Sequence, residues 1–227
     1  MNKKITECSH TCFMCQHILP EWWEVINVKR DIIKVKKGQK FIEEGSKREG
    51  VFFIQDGFVK VHKHWGEREM IVRFAKKGEI VGHRGISAEN MHSPISATAM
   101  QDSVLCFVEL DFFKTLLKAN ISLSYELMMF YADELQWSEQ KMGSFIHLSV
   151  KERFVINLNY LIKHFGLDES NTLQIELSKT EMAAYIGTTY ETMYRVIAEM
   201  ENADILTFSG KQIEIISLTK LQAQALS

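Results

Sequence analysis

Short apolar runs separated by glycine-containing turns fill the chain between residues 28 and 108. Runs at such short and even spacing are typical of an antiparallel sandwich or roll and do not suggest alternating strands and helices. The predicted strands are residues 51–54, 58–62, 70–74 and 103–108, and the predicted turns contain Gly38, Gly45, Gly57, Gly66 and Gly78. The pattern therefore predicts one β-rich domain ahead of residue 110.

A helical period replaces the strand pattern after Leu110. Residues 111–117 predict a short helix and residues 121–145 a longer one. One row of the longer helix follows the alternating 3–4 spacing of a heptad seam and consists of Met128, Tyr131, Leu135, Ser138, Met142 and Phe145. A second apolar row, Leu127, Phe130 and Trp137, lies on a neighbouring face. We interpret the second row as packing on the β domain and the seam as the interface of a homodimer. A monomer that buries both rows is the alternative, and the solution mass separates the two.

Two capping boxes mark helix starts in the last eighty residues. Ser149 with Glu152 predicts a helix over residues 150–164, and Ser178 with Glu181 predicts a helix that ends at Gly187. A further helix is predicted over residues 189–202, followed by a β-hairpin of residues 205–208 and 212–216; the helix has Met193, Val196, Ile197 and Met200 as core positions. Helix, glycine turn, helix and hairpin together predict a winged helix-turn-helix.

The start of the second of these helices carries side chains that suit base edges. Glutamate accepts a hydrogen bond from cytosine N4, and arginine bonds guanine O6 and N7. Glu191 and Arg195 are one helical turn apart and share a face. An alternative for Glu191 is a capping box with Thr188 and an ion pair with Arg195. The candidate DNA-binding residues are Ser178, Lys179, Thr188 and Thr189 for phosphates, and Tyr190, Glu191, Tyr194 and Arg195 for bases.

Charge places a limit on this interpretation. The 227 residues contain 27 basic and 29 acidic side chains, a net charge of −2, and residues 148–227 contain 7 basic and 10 acidic ones. Any DNA binding must therefore come from a local surface, because the basic domain that usually accompanies it is missing. The alternative function is a ligand-sensing or protein-interaction module whose winged helix binds a protein partner. A shift assay against random duplexes distinguishes the two.

Motifs of other protein classes are missing from the chain. The sequence contains no phosphate-binding glycine loop, metalloprotease helix motif or nucleophile elbow, so we expect no enzyme. No apolar run approaches the ~20 residues of a membrane-spanning helix, and the N-terminus lacks an apolar run of signal-peptide length. We therefore expect a cytoplasmic protein with no membrane partner, whose cysteines are reduced thiols or metal ligands.

These motifs together resemble the CRP/FNR family of bacterial transcription regulators over nearly the whole chain. The glycines of the β region continue into Gly78 and Gly82 of GEIVG, residues 148–154 (LSVKERF) look like the hinge after a dimerisation helix, and residues 186–195 (IGTTYETMYR) are close to the DNA-reading signature of the family. Glu191, Thr192 and Arg195 match that signature residue by residue, so the resemblance implies that Glu191 and Arg195 read bases.

The resemblance also implies an α+β fold with a defined domain order. We expect an N-terminal cysteine-containing segment (residues 1–20), a double-stranded β-helix or jelly-roll sensor domain of the cyclic-nucleotide-binding type (21–120), a dimerisation helix (121–147) and a winged helix-turn-helix (148–227). The partners that it implies are a pseudo-palindromic DNA operator, a second copy of the chain and RNA polymerase.

The effector-binding motif of the family is altered in this chain. Members that bind cyclic AMP hold the sugar with Gly-Glu-Leu and the phosphate with Arg-Ser or Arg-Thr, whereas this chain has Gly82-His83-Arg84 and Ser93-Pro94. Without the bidentate arginine an anionic cyclic nucleotide loses its main charge-assisted contact, so we do not expect cyclic AMP. The candidate effector-pocket residues are Gly82, His83, Arg84 and Ser93.

Residues 92–100 and Cys106 resemble the FNR branch of the family. With Cys8, Cys12 and Cys15 in the N-terminal segment, Cys106 completes four thiolates, the ligand count of a [4Fe–4S] cluster. The C-x3-C-x2-C spacing departs from the wider second gap of that branch, so three alternatives remain open. These are zinc held by the thiolates with His10 or His17, cysteines that hold no metal, and haem with an axial ligand among His62, His64, His83 and His92.

Overall fold

The computed structural model describes residues 10–86 and 92–224. These residues form two compact units. The first contains the described residues up to Trp65 together with Val72–Glu134, and the second contains Gly66–Ile71 and the described residues from Leu135 onward. The division falls within the long helix. Across both described ranges, no helix has the length and hydropathy that a membrane crossing requires.

Two four-stranded sheets make up most of the first part of the chain. It begins with α1 (Phe13–His17), a short 3-10 helix (Pro20–Trp22) and α2 (Trp23–Lys29). The strands are β1 (Arg30–Val35), β2 (Lys40–Ile42), β3 (Gly50–Asp56), β4 (Phe58–Trp65), β5 (Arg68–Lys76), β6 (Ile80–Val81), β7 (Ser96–Ala99) and β8 (Ser103–Glu109). One sheet has the order β1-β8-β3-β6 and the other β2-β7-β4-β5. Helices α3 (Leu110–Ala119) and α4 (Ile121–His147) follow. The predicted β-roll and both helices are confirmed.

Strand β3 explains why the apolar run at residues 51–54 is continuous. Val51 and Phe53 face a cluster that includes helix residues such as Phe113 and Leu123, whereas Ile54 faces a second cluster that includes Val61 of the other sheet. All six side chains are buried. A strand that is covered on both faces has no solvent-facing positions, and its sequence therefore does not alternate.

The turn between β3 and β4 requires glycine. Gly57 has φ +92°, in the left-handed region that L side chains rarely adopt. A Cβ atom at this position would also lie 2.2 Å from Ser103 Oγ. Backbone conformation and available space therefore both exclude a larger residue, and the turn that was predicted at Gly57 is confirmed.

The second unit contains the predicted winged helix-turn-helix. Its elements after α4 are α5 (Val150–Phe165), α6 (Lys179–Ile186), α7 (Tyr190–Asn202), β9 (Leu206–Ser209), β10 (Gln212–Ile215) and α8 (Leu218–Ala223). Both predicted capping boxes, at Ser149 and Ser178, are present. Helix α6 ends at Gly187, which has φ +74°, and the predicted core positions of α7 (Met193, Val196, Ile197 and Met200) are buried.

Candidate nucleic-acid interface and sensor site

Helix α7 begins one residue later than the alternative interpretation of Glu191 requires. Thr189 is the N-cap, and its hydroxyl oxygen accepts a hydrogen bond from the Thr192 backbone N–H at 3.3 Å. The residue three positions after the cap is Thr192, so Glu191 cannot close a capping box. The capping box between Thr188 and Glu191 is therefore wrong, and the Glu191 side chain is not committed to Thr188.

The first two turns of α7 present a polar and aromatic face. Glu191 and Arg195 are exposed, and Tyr190 and Tyr194 are 47% and 51% exposed. Hydrogen bonds from its own backbone N–H and from Thr189 lower the pKa of Glu191, with a further contribution from the charge of Arg195. Glu191 is therefore ionised at neutral pH and can accept a hydrogen bond. Arg195 Nη2 lies 3.4 Å from Thr192 Oγ1, which leaves most of its donors facing outward.

The residues that were predicted to bind phosphate have differing local roles. The Ser178 hydroxyl accepts from the Glu181 backbone N–H and donates to the Glu181 carboxylate at 2.7 Å, so it is used as a cap. Lys179 Nζ lies 4.9 Å from the ring centroid of Tyr194 and 5.5 Å from that of Phe208. Thr188 is half-buried and Thr189 is exposed. Lys179 thus connects α6 with both the recognition face and the wing.

The structure revises the predicted seam on α4. Met128, Leu135 and Met142 are 57%, 60% and 59% exposed, as an unpaired seam requires. Tyr131 instead packs on its own β-roll and donates a hydrogen bond from its hydroxyl to the His83 carbonyl. Ser138 is half-buried. The Phe145 ring lies 5.3 Å from the Arg153 guanidinium carbon. Tyr131 and Phe145 are therefore removed from the seam, because each already has a partner within its own unit.

The exposed apolar side chains of α4 define a different row. Ile121, Tyr125, Ile146 and the three residues retained from the prediction are all more than half exposed. With half-buried Ala132 and exposed Glu139, they keep a strict alternation of four and three residues from Ile121 to Ile146. We call this set the α4 outer row: Ile121, Tyr125, Met128, Ala132, Leu135, Glu139, Met142 and Ile146. The predicted packing of the second apolar row on the β domain is confirmed for Leu127, which is buried, and for Phe130, which packs on the roll core. It is wrong for Trp137, which stacks on Tyr160 of α5 instead.

The four candidate effector residues do not share one pocket. Gly82 and Ser93 line a cavity of about 390 Å³ in the β-roll, together with Lys40, Lys47, Arg48, Phe41 and Phe52. The Ser93 hydroxyl donates to the Ile95 carbonyl at 2.7 Å. His83 and Arg84 are outside the described lining of this cavity, because their side chains bind Glu134 of α4 instead. The expectation of a common pocket is therefore corrected for His83 and Arg84.

Glu134 is the centre of a buried ionic cluster. One carboxylate oxygen lies 3.0 Å from Arg73 Nε and 3.2 Å from Arg84 Nη2, and the other lies 2.9 Å from His83 Nε2. Arg73 also pairs with Glu79 at 3.0 Å. The Glu134 side chain is 13% exposed and His83 is 1% exposed. The cluster therefore joins α4 to β5 and to the turn after β6, which continues directly from the cavity residue Gly82.

The cluster fixes the protonation states of its members. Burial raises the pKa of Glu134, but the hydrogen bond from His83 and the charges of Arg73 and Arg84 outweigh burial and lower the pKa to about 2. Burial lowers the pKa of His83 against the opposing effect of Glu134, so the ring is neutral at pH 7. A carboxylate can only accept, and the neutral ring must therefore carry its hydrogen on Nε2.

Three of the four cysteines lie in one apolar cluster. Cys12, Cys15 and Cys106 are 4%, 5% and 0% exposed and belong to the buried core that α1, α3, α4 and the outer face of β3 share. Cys8 lies outside the described residues. Among the candidate histidines, His62 Nε2 lies 2.9 Å from Thr98 Oγ1 and His10 stacks on Trp23. His17 has a ring contact with Phe13, and His64 and His92 are exposed. Thiols are the soft donors that suit zinc and iron–sulfur clusters. Within the described residues, however, the side chains whose ligand atoms lie within 4.8 Å of one another are His62, His64 and Glu69, not the three cysteines.

Sequence reasoning missed Glu134 and Arg73. Glu134 lies four residues after Phe130 and three before Trp137, so it falls in the second predicted apolar row, and Arg73 lies within the apolar strand of residues 70–74. A charge at a core-facing position is seldom buried without a partner. Two charges of opposite sign within apolar segments therefore indicate a buried ion pair. The sequence alone does not show that these two residues pair with each other, because they are far apart along the chain.

A β-roll that precedes a winged helix-turn-helix with an exposed recognition face defines a DNA-binding transcription regulator. Known proteins agree with this class. The chain matches the cyclic nucleotide-binding domain over residues 32–120 and the Crp-like helix-turn-helix domain over residues 154–224. The chain belongs to the CRP/FNR family of transcriptional regulators. It is accordingly a regulator and not an enzyme, and the family gives no support to a winged helix that binds protein instead of DNA.

Individual relatives are distant but extend over most of the chain. The transcriptional activator protein FnrA of Stutzerimonas stutzeri is 28% identical over 206 residues, 86% of this chain and 82% of that protein. The transcriptional activator protein Anr of Pseudomonas protegens is 26% identical over 196 residues, 84% of this chain and 79% of that protein. The structure of FixK2 from Bradyrhizobium japonicum superposes with a TM-score of 0.74 at 21% identity, covering 86% of this chain and 96% of that one.

The Glu134 cluster predicts a specific dependence of stability on pH. A group whose pKa is lower in the folded than in the unfolded state contributes stability that disappears as the pH falls. For His83 the loss begins below its ordinary pKa of 6.5, and for Glu134 it extends from 4.5 to about 2. Glu134→Gln should cost about 1–3 kcal/mol of unfolding free energy at pH 7, because Arg73 and Arg84 lose a charged acceptor.

Urea unfolding at several pH values measures this dependence. The Glu134→Gln variant should retain the decline below pH 6.5 and lose the part of the decline below pH 4.5. Asp133→Asn is the matched control, since Asp133 is an exposed neighbour on the same helix. Parallel stability–pH curves for wild type and Glu134→Gln below pH 4.5 would contradict the assignment of Glu134.

Proposed function

We propose that this regulator acts as a homodimer on a pseudo-palindromic operator, with α7 of each subunit in the major groove. The observation that carries the proposal is the exposed face of Glu191 and Arg195 at the start of α7. Cytosine N4 and guanine O6 and N7 are the groups that these side chains recognise. Two half-sites one helical turn apart (~34 Å) match a protein dimer with twofold symmetry.

The DNA contacts that we propose depend on a local surface. Thr189 and the backbone N–H groups at the start of α7 address phosphates, Glu191 and Arg195 address bases, and Tyr190 and Tyr194 flank them. Ser178, Lys179 and Thr188 support this surface from α6 and the turn. We propose that the protein works in the cytoplasm beside the DNA, with RNA polymerase as a partner on the basis of family resemblance.

The α4 outer row supplies the proposed dimer interface. Its heptad spacing matches a left-handed pair of helices, and its apolar side chains are exposed in the single chain. The homodimer interface that we propose therefore contains Met128, Leu135 and Met142 from the predicted seam, and it adds Ile121, Tyr125 and Ile146. Glu139 is the one charged position within the row.

A single charge in the row should separate the subunits. Leu135→Glu places a carboxylate at the centre of the interface, where burial of an unpaired charge is unfavourable. Light scattering should give twice the 26.3 kDa chain mass for wild type and the single chain mass for the variant. Gln136→Glu adds the same charge at an exposed position beside the row and should leave the dimer intact. A wild-type protein that is strictly monomeric would exclude the dimer.

Arg195 should determine one base pair of the operator. Duplexes selected by wild type from a random pool serve as the operator. Arg195→Ala should cost about 1–3 kcal/mol of binding free energy and relax the preference at one position of each half-site. Arg195→Lys keeps the charge but not the planar pair of donors, so it should recover the salt dependence and not the base preference. An equal loss on every sequence would identify Arg195 as a phosphate contact.

We propose that the sensor signal is linked to a metal or to redox chemistry through Cys12, Cys15 and Cys106, with Cys8 as a fourth thiol. The support is the burial of three thiols in one apolar cluster, together with the resemblance to FNR-type regulators. An iron–sulfur cluster would supply a redox-sensitive group at this position, zinc a structural one. Haem is the weaker candidate, because His83 and His62 already use Nε2 for Glu134 and Thr98.

Metal content tests the cysteine assignment directly. Protein purified without oxygen should contain iron with sulfide, or zinc, and an absorption spectrum separates the coloured cluster from colourless zinc. Cys106→Ser should lower the metal content, whereas Met14→Leu, a volume-conserving change in the same cluster, should leave it unchanged. A colourless, metal-free wild-type protein that binds its operator normally would exclude the metal.

A further inference from the structure

A buried arginine lies between the end of α4 and the turn of the helix-turn-helix. Arg153 occupies the first turn of α5 and is 9% exposed. Its Nη1 donates to the Leu148 carbonyl at 3.1 Å, and its Nη2 lies 3.4 Å from the Gly187 carbonyl oxygen. One side chain therefore touches both the segment that leaves α4 and the turn that leads into α7.

The same turn is covered from another side by Phe145. A Cβ atom on Gly187 would lie 2.5 Å from Phe145 Cε1, so the ring lies directly against the glycine backbone. The Arg153 guanidinium carbon lies 5.3 Å from the centroid of the same ring. We call these four residues the Arg153 clasp: Phe145, Leu148, Arg153 and Gly187.

Within the described residues, the positive charge of Arg153 in the clasp has no carboxylate as an ion-pair partner. Within residues 10–86 and 92–224, Arg153 forms no ion pair with a carboxylate, and its guanidinium contacts two backbone carbonyls and one aromatic ring. Burial accordingly lowers its pKa. Burying a cation without a carboxylate partner lowers the stability of the fold, and an apolar residue in the same space would be less destabilising. What arginine adds is a planar fork that reaches two carbonyls in fixed geometry, which lysine cannot do.

We propose that Arg153 is a positioning residue for DNA recognition, which fixes the direction of α7 relative to the end of α4. The proposal rests on the dimer proposed above. Two recognition helices match two half-sites at one separation only if each helix is held rigidly at the end of its own α4. The clasp therefore controls which half-site spacing the protein accepts, and it leaves the choice of bases within each half-site to Glu191 and Arg195.

The experiment compares operators whose half-sites are separated by the preferred spacing or by one or two additional base pairs. Wild type should favour the preferred spacing. Arg153→Lys and Phe145→Leu should each reduce that ratio by roughly threefold to tenfold, the range expected when one or two weak contacts are lost. Base preference within a half-site and the slope of affinity against salt should stay at the wild-type values. Lys163→Gln, at an exposed position on the same helix, should leave the spacing ratio unchanged.

The spacing ratio separates positioning from a loss of folded protein. A smaller folded fraction weakens binding to every duplex equally and does not change a ratio, and Phe145→Leu gives a second measurement if Arg153→Lys unfolds. Wild-type ratios in both variants would overturn the proposal. A salt slope reduced by about one would also overturn it, since Arg153 would then contact a phosphate. A wild-type protein that ignores spacing would instead overturn the dimer on which the proposal rests.

Discussion

Burial of the Glu134 carboxylate determines how α4 is rotated against the β-roll. A carboxylate that leaves water needs charge and hydrogen bonds in return, and Arg73, Arg84 and His83 supply them from β5 and from the turn after β6. The helix face with Glu134 is thereby held toward the roll, as is Tyr131 through its bond to the His83 carbonyl. The opposite face, the α4 outer row, remains for a partner. The ionic cluster within one chain thus leaves exposed the helix face that we propose as the dimer interface.

Local signals made most of the fold predictable. Capping boxes at Ser149 and Ser178 and the glycine turn at Gly57 act over two to four residues, so the sequence alone predicts where each element starts or ends. The rotation of α4 was not predictable in this way. A heptad containing Tyr131 and one containing Ala132 differ by a single residue. The contacts that distinguish them join α4 to Arg73, His83 and Arg84, which are distant in the sequence. His83 and Arg84 were misplaced for the same reason, because their partner is about fifty positions away in the chain.

The candidate DNA surface lies on a domain whose net charge is negative, although DNA is itself an anion. Residues 148–227 have more acidic than basic side chains, so long-range attraction contributes little, and the proposed contacts are short-range hydrogen bonds from α7. Lys179 illustrates the arrangement: its ammonium group lies over the rings of Tyr194 and Phe208, which holds a positive charge beside the recognition face. The sequence alone predicted the recognition face from Glu191 and Arg195. It did not predict the position of Lys179, because that position depends on a contact with Phe208 of the wing.

Cys106 lies on an inner strand, with β1 on one side of β8 and β3 on the other. Its backbone is therefore held by two ladders of hydrogen bonds, and moving the whole residue would break both of them. Cys12 and Cys15 belong to a short helical segment that is tied to the sheet by the bond from the Phe13 N–H to the Gly78 carbonyl. Any chemical change that alters the distance among these thiols must therefore be taken up by that segment and by the helices that cover it, while the sheet keeps its shape.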